Sequence, residues 1–279
     1  MRVAPLPPSA GPQSVTIAPE TIAAFQRDGA VLLKGVLGDW VETLRQGIEQ
    51  NLAVPGPYQR LYTPVGGSGR FVGDYCNWAR IPSYRDFVFA SPAARIAGQL
   101  MGSKTVRFFH EHILVKEPET REVTPWHHDQ PYYCVDGSKV VSLWMPLDPV
   151  PREVCVEFVA GSHLWGRWFR PRKFTGIAYD HKDDGLEDMP DISAHRADYR
   201  LLSWDLEPGD AIAFHFLTVH GAPGNFSANR RRAFASRWLG DDAVYASRPG
   251  ETSPPFPGLD ARLKPGDAMA ADEFPLVIG

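Results

Sequence analysis

Cysteine is scarce in this chain: Cys76, Cys134 and Cys155 are the only three in 279 residues. They are odd in number, widely spaced and never in a Cys-x-x-Cys pair. That pattern excludes a disulfide framework and a thiolate zinc site, and it fits a reducing compartment. Long apolar runs are missing too. No stretch approaches the roughly 18 residues a membrane-spanning helix needs. The segment 1–14 carries prolines where a signal peptide carries its apolar region, and the closing Val277-Ile278-Gly279 is no S-K-L-type peroxisomal address. Positive charge is not in excess either. Lys and Arg number 29 against 33 Asp and Glu, a net charge of −4, which argues against a general binder of nucleic acid or anionic membranes. The expectation is a soluble, cytoplasmic protein whose partner is a small molecule.

What is present is ordinary for a globular fold: 43% hydrophobic and 22% charged residues, in a chain long enough to bury a core without staples. Residues 1–17 read as a flexible, proline-rich arm. A helix is predicted from Pro19-Glu20, since proline suits a first turn, to Asp28-Gly29. Ala30 to Leu33 reads as a short buried strand. Val41, Leu44, Ile48 and Leu52 recur at helical spacing, with Asp39 as the expected N-cap. Residues 54–82 read as a long loop, followed by short helices near 83–89 and 92–101. From Lys104 the character changes to short strands separated by Gly and Pro turns: Thr105 to Lys116, Val140 to Leu147, Val154 to Val159, Leu201 to Leu206, Ala211 to Phe216 and Ala233 to Leu239. Helices first and strands later predict a mainly β domain, a sandwich or barrel with flanking helices. One domain is expected over 18–247, with a long insert at 164–200 and a proline-rich tail at 248–279.

The most informative stretch is Trp126-His127-His128-Asp129-Gln130-Pro131. If it is extended, His127 and Asp129 project to one face and His128 to the other. An imidazole and a carboxylate on one face are two members of a facial triad, which leaves positions open on a non-haem Fe(II). The third member must come from elsewhere. His215 lies inside a predicted strand, where a histidine is usually a satisfied core residue. His220 lies just past that strand's end, before Gly221-Ala222-Pro223-Gly224, and is the better candidate. Farther on, Arg230-Arg231-Arg232 opens a strand, so alternation can send one guanidinium inward. A bidentate arginine–carboxylate pair suits a small diacid.

Together, His127-x-Asp129, His220-Gly221-Ala222-Pro223-Gly224-Asn225 and an arginine at 231 resemble the phytanoyl-CoA dioxygenase family, from the Asp28-Gly29-Ala30-Val31 element to about Trp238. Leu143-Trp144-Met145-Pro146-Leu147-Asp148 is similar to the family's central strand, and Gly161-Ser162-His163 to its Gly-Ser-His turn. His128 stands where the family often has Gln, and Ala160 where it often has Pro. The resemblance implies a double-stranded β-helix (jelly-roll) core and an Fe(II)- and 2-oxoglutarate-dependent dioxygenase that consumes O2. It implies His127, Asp129 and His220 as iron ligands and Arg231 as partner of the distal 2-oxoglutarate carboxylate. Lys116 and Trp144 would line the cosubstrate pocket. A carboxylate at 129 favours hydroxylation, because related halogenases carry Ala or Gly there. The competing readings are a cupin-like metal-dependent hydrolase or isomerase using the same triad, and a non-catalytic jelly-roll binding module.

The insert opens with four cationic and four aromatic residues within 164–174. A lid closing over an anionic substrate, with Trp168, Arg170 and Arg172 in contact with it, is one expectation. A solvated surface loop is the other.

Overall fold

The computed structural model describes residues 11–171 and 185–279. Four helices come early: α1 (Pro19–Asp28), α2 (Val41–Ala53), α3 (Pro82–Ala90) and α4 (Ala93–Met101). Strand β1 (Ala30–Leu33) follows α1, and β2 (Arg60–Leu61) and β3 (Phe71–Tyr75) follow α2. Beyond α4 come β4 (Val106–Lys116), β5 (Thr124–His127), β6 (Val135–Asp136), β7 (Val140–Pro146), β8 (Glu157–Val159) and β9 (Leu201–Leu202). The chain closes with β10 (Ala211–Phe214), β11 (His220–Ala222), β12 (Arg231–Leu239), β13 (Val244–Tyr245) and β14 (Leu276–Ile278). No helix among the described residues is long and apolar enough to cross a membrane.

The strands form a major sheet in the order β1-β10-β7-β12-β4-β3-β2, with β14 also on β4, and a minor sheet in the order β5-β11-β8-β9. This is a jelly-roll-like core. The period-2 alternation of each major-sheet strand divides its side chains between two layers. Val141, Leu143 and Met145 of β7, Phe234 and Trp238 of β12, and Ile113 and Val115 of β4 pack outward against Leu44, Ile48, Phe87, Ile96 and Leu100 of the helices. The other parity faces the minor sheet: Trp144, Ile212, Phe214, Ala233 and Ala235 meet Val156 and Phe158. Both faces of these central strands are buried, which is why β7 reads as a continuous run rather than an alternation. Truncating a central residue such as Leu143 to Ala would cost about 2–5 kcal/mol.

Gly29 shows why α1 ends where expected. It adopts φ +76°, accessible to glycine at little cost, and its N–H closes the helix on the Phe25 carbonyl. A Cβ there would also collide with the His163 ring and the Thr218 hydroxyl.

Several expectations need correction. Residues 54–82 are not one loop, because they contain β2 and the fully buried β3. The sequence Phe71-Val72-Gly73-Asp74-Tyr75 hides its strand behind two residues depleted in strands. The Asp74 carboxylate is satisfied by Asn51 Nδ2 at 2.8 Å and the Gly56 N–H at 2.7 Å. At Gly73 a Cβ would meet His112 Nε2 and the Tyr62 ring at 2.8 Å. Asp39 does not cap α2: it lies in a 3-10 turn, Gly38–Trp40, with no side-chain cap at either element. The strand expected over Leu201 to Leu206 shortens to Leu201–Leu202, and the one over Val154 to Val159 to Glu157–Val159 after a 3-10 turn. The stretch from 248 packs back on the barrel. Leu259, Leu263, Met269 and Phe274 are buried with Phe109, Tyr133 and Phe216, and β14 pairs with β4. At the other end, residues 13–17 lie against the helices: Gln13 donates its N–H to Ala90 O and Ile17 to Gln99 Oε1. Residues 1–10, the rest of the expected arm, fall outside the described residues.

Candidate active site

Strand pairing assembles the triad. β11 runs antiparallel to β5 with His220 directly opposite His127, and the two imidazole centroids lie 4.2 Å apart. Asp129 is already past the end of β5, in a helical conformation at φ −77°, ψ −37°. It is anchored by its own N–H, which donates to the Phe216 carbonyl at 2.7 Å. Its Oδ1 sits 3.6 Å from His127 Nε2 and 3.9 Å from His220 Nε2. The three donor atoms all lie within 4.8 Å of one another. The two imidazoles are tied alike: His127 Nδ1 contacts Pro125 O at 2.8 Å, and His220 Nδ1 contacts Thr218 O at 2.9 Å. A carbonyl only accepts, so each Nδ1 carries the proton and each Nε2 keeps its lone pair for a metal.

Electrostatics favour the same state. Burial opposes ionisation of Asp129, but the Arg237 guanidinium and the His127 contact outweigh it and hold the carboxyl well below the usual range. Burial, with His127 beside it, pushes His220 down to about 3. The site thus combines an ionised Asp129 and a neutral His220 with the inward Nε2 of His127, a donor set that fits a divalent iron.

The neighbouring histidines are accounted for. His128 points away and accepts the Phe169 N–H at 2.9 Å. His215 accepts the Leu217 N–H at 3.0 Å and donates to Ser138 O at 2.9 Å, so both its nitrogens are committed. His163 reaches Gln26 O at 3.1 Å and does not line the cavity.

The triad faces a cavity of about 490 Å³. At one end Arg231 projects inward, opposite Lys116 in the β4–β12 register. Arg230 and Arg232 take the other face. Arg230 binds Glu117 and Glu49, and Arg232 binds Asp148 and Glu49. Arg231 donates to Val154 O, and Lys116 Nζ to Glu122 O at 2.8 Å and Pro223 O at 2.9 Å. Among the described residues neither cation has a carboxylate at ion-pair distance. Burial lowers Arg231 to about 10, and burial with the Arg231 charge lowers Lys116 to about 6. Lys116 is buried, not a solvated strand end. A buried guanidinium with no acid, beside a buried amine that a bound anion would protonate, makes a built receptor for a carboxylate. Trp144 lines the same cavity from β7.

Trp168 and Arg170 do not line it. Two of the insert's arginines pair with its far arm: Arg167 binds Glu187, and Arg170 binds Asp188 at 2.7 Å. Its backbone is clipped to Glu187 from both sides. Phe169 buries behind the triad against His128. Arg172 lies outside the described residues.

Sequence reasoning passed over His110, His112, Tyr133 and Arg237, all of which line the cavity. A signal was available. Lys116 inward on β4 entails His112 and His110 inward by parity, and Arg231 inward on β12 entails Arg237. Arg237 donates to Tyr133 O–H and lies 3.5 Å from Asp129 Oδ2.

The family model for phytanoyl-CoA dioxygenase (PhyH) matches residues 25–233. The chain belongs to this family, and at the level of class it is an iron- and 2-oxoglutarate-dependent oxygenase. Among solved structures, the non-heme alpha ketoglutarate dependent carbocyclase SnoK from nogalamycin biosynthesis is similar, at 24% identity and TM-score 0.70, covering 96% of this chain and 99% of that one. The epimerase SnoN in complex with Fe3+, alpha ketoglutarate and nogalamycin RO matches at 24% identity and TM-score 0.73, covering 92% and 97%. EctD from S. alaskensis with 2-oxoglutarate and 5-hydroxyectoine matches at 19% identity and TM-score 0.67, covering 91% and 86%. These likenesses establish the shared fold.

Proposed function

We propose that this protein hydroxylates a small organic molecule, with His127, Asp129 and His220 holding Fe(II) and with 2-oxoglutarate as cosubstrate. The observation that carries the reading is one cavity containing both a metal-ready triad and two buried basic groups, Arg231 and Lys116, without an acid. When bound, iron and 2-oxoglutarate together with O2 supply the oxidation, releasing succinate and CO2 and placing one oxygen atom on the substrate. The chain's own part is positioning. Arg231 takes the distal carboxylate of 2-oxoglutarate, Lys116 adds a second positive charge, and Trp144 walls the cosubstrate. Arg237 keeps Asp129 ionised, while Tyr133 holds Arg237 in place. Phe158 and Phe214 flank the His220 ring at 5.7 and 4.7 Å and keep water from that side.

Support also comes from relatives of the same fold that bind iron and alpha ketoglutarate (SnoN) or 2-oxoglutarate (EctD). A metal-dependent hydrolase would have no use for two buried basic groups beside its triad, and a binding module would not need all three ligands. Carbocyclase and epimerase activities occur among similar structures, so the product is the part to measure. The test is a substrate screen with Fe(II), ascorbate and 2-oxoglutarate, reading succinate and the mass of the product. A gain of one oxygen atom is the expected result. Absence of any 2-oxoglutarate-dependent succinate across the screen, together with no binding of 2-oxoglutarate, overturns the assignment.

A further inference from the structure

Two cross-strand pairs meet on one carboxylate. On the minor sheet His220 faces His127, and on the major sheet Arg237 of β12 faces Ser142 of β7. Asp129 lies between them and divides its oxygens. Oδ1 turns to the imidazoles, 3.6 Å from His127 Nε2 and 3.9 Å from His220 Nε2. Oδ2 turns to the other pair, 3.5 Å from Arg237 Nε and 3.5 Å from the Ser142 hydroxyl, which donates to it. Tyr133 closes the group: its hydroxyl accepts from Arg237 Nε and bonds Asp129 in turn. Arg237 is tethered at Nη1 as well, which donates to the Ala235 carbonyl at 3.4 Å. Asp129, Ser142, Tyr133 and Arg237 are all buried, so little water competes for Oδ2.

The division matters because of how many positions the chemistry needs. Iron held by a facial triad has an octahedral set of positions, three of them taken by the protein. The C1 carboxylate and keto oxygen of 2-oxoglutarate take two more, and one is left for O2. A carboxylate can also bind a metal through both its oxygens. If Asp129 did so, no position would remain.

We propose that Arg237 is a positioning residue: with Ser142 and Tyr133 beside it, it holds Oδ2 so that Asp129 ligates iron through Oδ1 alone, which keeps the last position open for O2. This is more than keeping Asp129 ionised, because a charge nearby would do that without choosing between the oxygens. The inference rests on reading His127, Asp129 and His220 as iron ligands and 2-oxoglutarate as cosubstrate.

The test uses nitric oxide as a stand-in for O2, added anaerobically to the full chain loaded with Fe(II), with and without 2-oxoglutarate. Electron paramagnetic resonance of the iron–nitrosyl reads its affinity, and the visible band of the iron–2-oxoglutarate chelate reads the cosubstrate. Arg237→Met puts a carbon where Nε was and removes the donor. With 2-oxoglutarate bound, this variant should bind nitric oxide at least about tenfold more weakly than wild type, the scale of one hydrogen bond to a charged group. Without 2-oxoglutarate there are positions to spare, and the two should bind it alike. A general loss of packing would weaken both. Arg237→Gln, whose amide nitrogen stands as far along the side chain as Nε and carries no charge, should restore wild-type binding. Arg237→Leu, also without a donor, takes the place of the Met variant should that one not fold. Four results would overturn the proposal: wild-type affinity in the donor-less variant with 2-oxoglutarate present, equal weakening with and without it, a Gln variant that behaves like the Met variant, or loss of iron from both. If wild type shows no 2-oxoglutarate band, the cosubstrate reading itself falls. If the band is there and the Arg237 variants show no split, the role of Arg237 alone is wrong.

Discussion

Two sets of arginines in this protein look alike in sequence and differ in what surrounds them. Arg167 and Arg170 belong to its densest basic patch, yet each meets an acid from the far arm of the same insert at the protein surface. Arg231 and Arg237 sit six positions apart on one strand, both buried and both facing the cavity. One is balanced by Asp129, and the other lacks a carboxylate among the described residues. Charge density along a chain therefore does not locate an anion site; unbalanced burial does. A surface pair loses little when broken, because water replaces the partner. A buried cation with no partner is a standing demand for one.

The comparison breaks most visibly at Asp129. Asp129→Ala removes a proposed iron ligand and leaves Arg237 buried without its acid. The expected outcome is no iron retained after gel filtration and no detectable turnover, and His220→Ala should behave the same way. His215→Ala, whose ring is committed to Ser138 O and the Leu217 N–H, should keep iron. Stoichiometric iron in the Asp129 variant would contradict the assignment. Next in size is Arg231→Ala. Leaving the distal carboxylate of 2-oxoglutarate unpaired should cost on the order of 3–5 kcal/mol, read as a rise in 2-oxoglutarate KM of at least about a hundredfold. Arg230→Ala, on the other face, should leave that KM nearly unchanged. The reverse result would place the strand register off by one.

A pH titration sharpens the contrast. Lys116 in the free cavity is lowered to about 6, so it is largely neutral at pH 7 to 8. A bound diacid restores the charge and raises the lysine's pKa, so binding takes up a proton. Affinity for 2-oxoglutarate should then be flat below about pH 6 and fall as pH rises above it, by up to about tenfold per pH unit. Lys116→Met should abolish that slope. A flat profile in the wild type would mean that Lys116 does not serve the diacid. The smallest effect belongs to the surface set. Arg170→Ala should change stability by less than about 1 kcal/mol and leave 2-oxoglutarate KM unchanged.

The convergence of His127, Asp129 and His220 is legible from local spacing. His127 and Asp129 were read as sharing a face of an extended strand; Asp129 in fact turns helical beyond the strand end and still converges on the same point. The third histidine was legible for a simpler reason: His215 sits in mid-strand, where a core satisfies it, and His220 sits at a strand edge beside a glycine turn. Arg231 was chosen over its neighbours by alternation, and the outward ion pairs of Arg230 and Arg232 agree with that parity. The pairing of Arg167 and Arg170 was not legible. Nothing in residues 164–174 reveals that Glu187 and Asp188 fold back to neutralise Arg167 and Arg170. β3 escaped because Gly73 and Asp74 lower its strand signal, and only Asn51, Gly56 and His112 around it explain them.

By itself the sequence determined what repeats over a few residues: the helix phases, the period-2 parity of β7 and β12, the His127-x-Asp129 pair and the side of β12 that carries Arg231. Those features depend on backbone geometry that each segment has alone. Tertiary structure decided which segments lie opposite one another. The His127–His220 register, the Lys116–Arg231 pairing and the Arg237–Asp129 contact all arise between strands distant in the chain. A side chain's parity is set locally. Whether it ends up paired, exposed or buried without a partner is set by what the opposite strand brings to it.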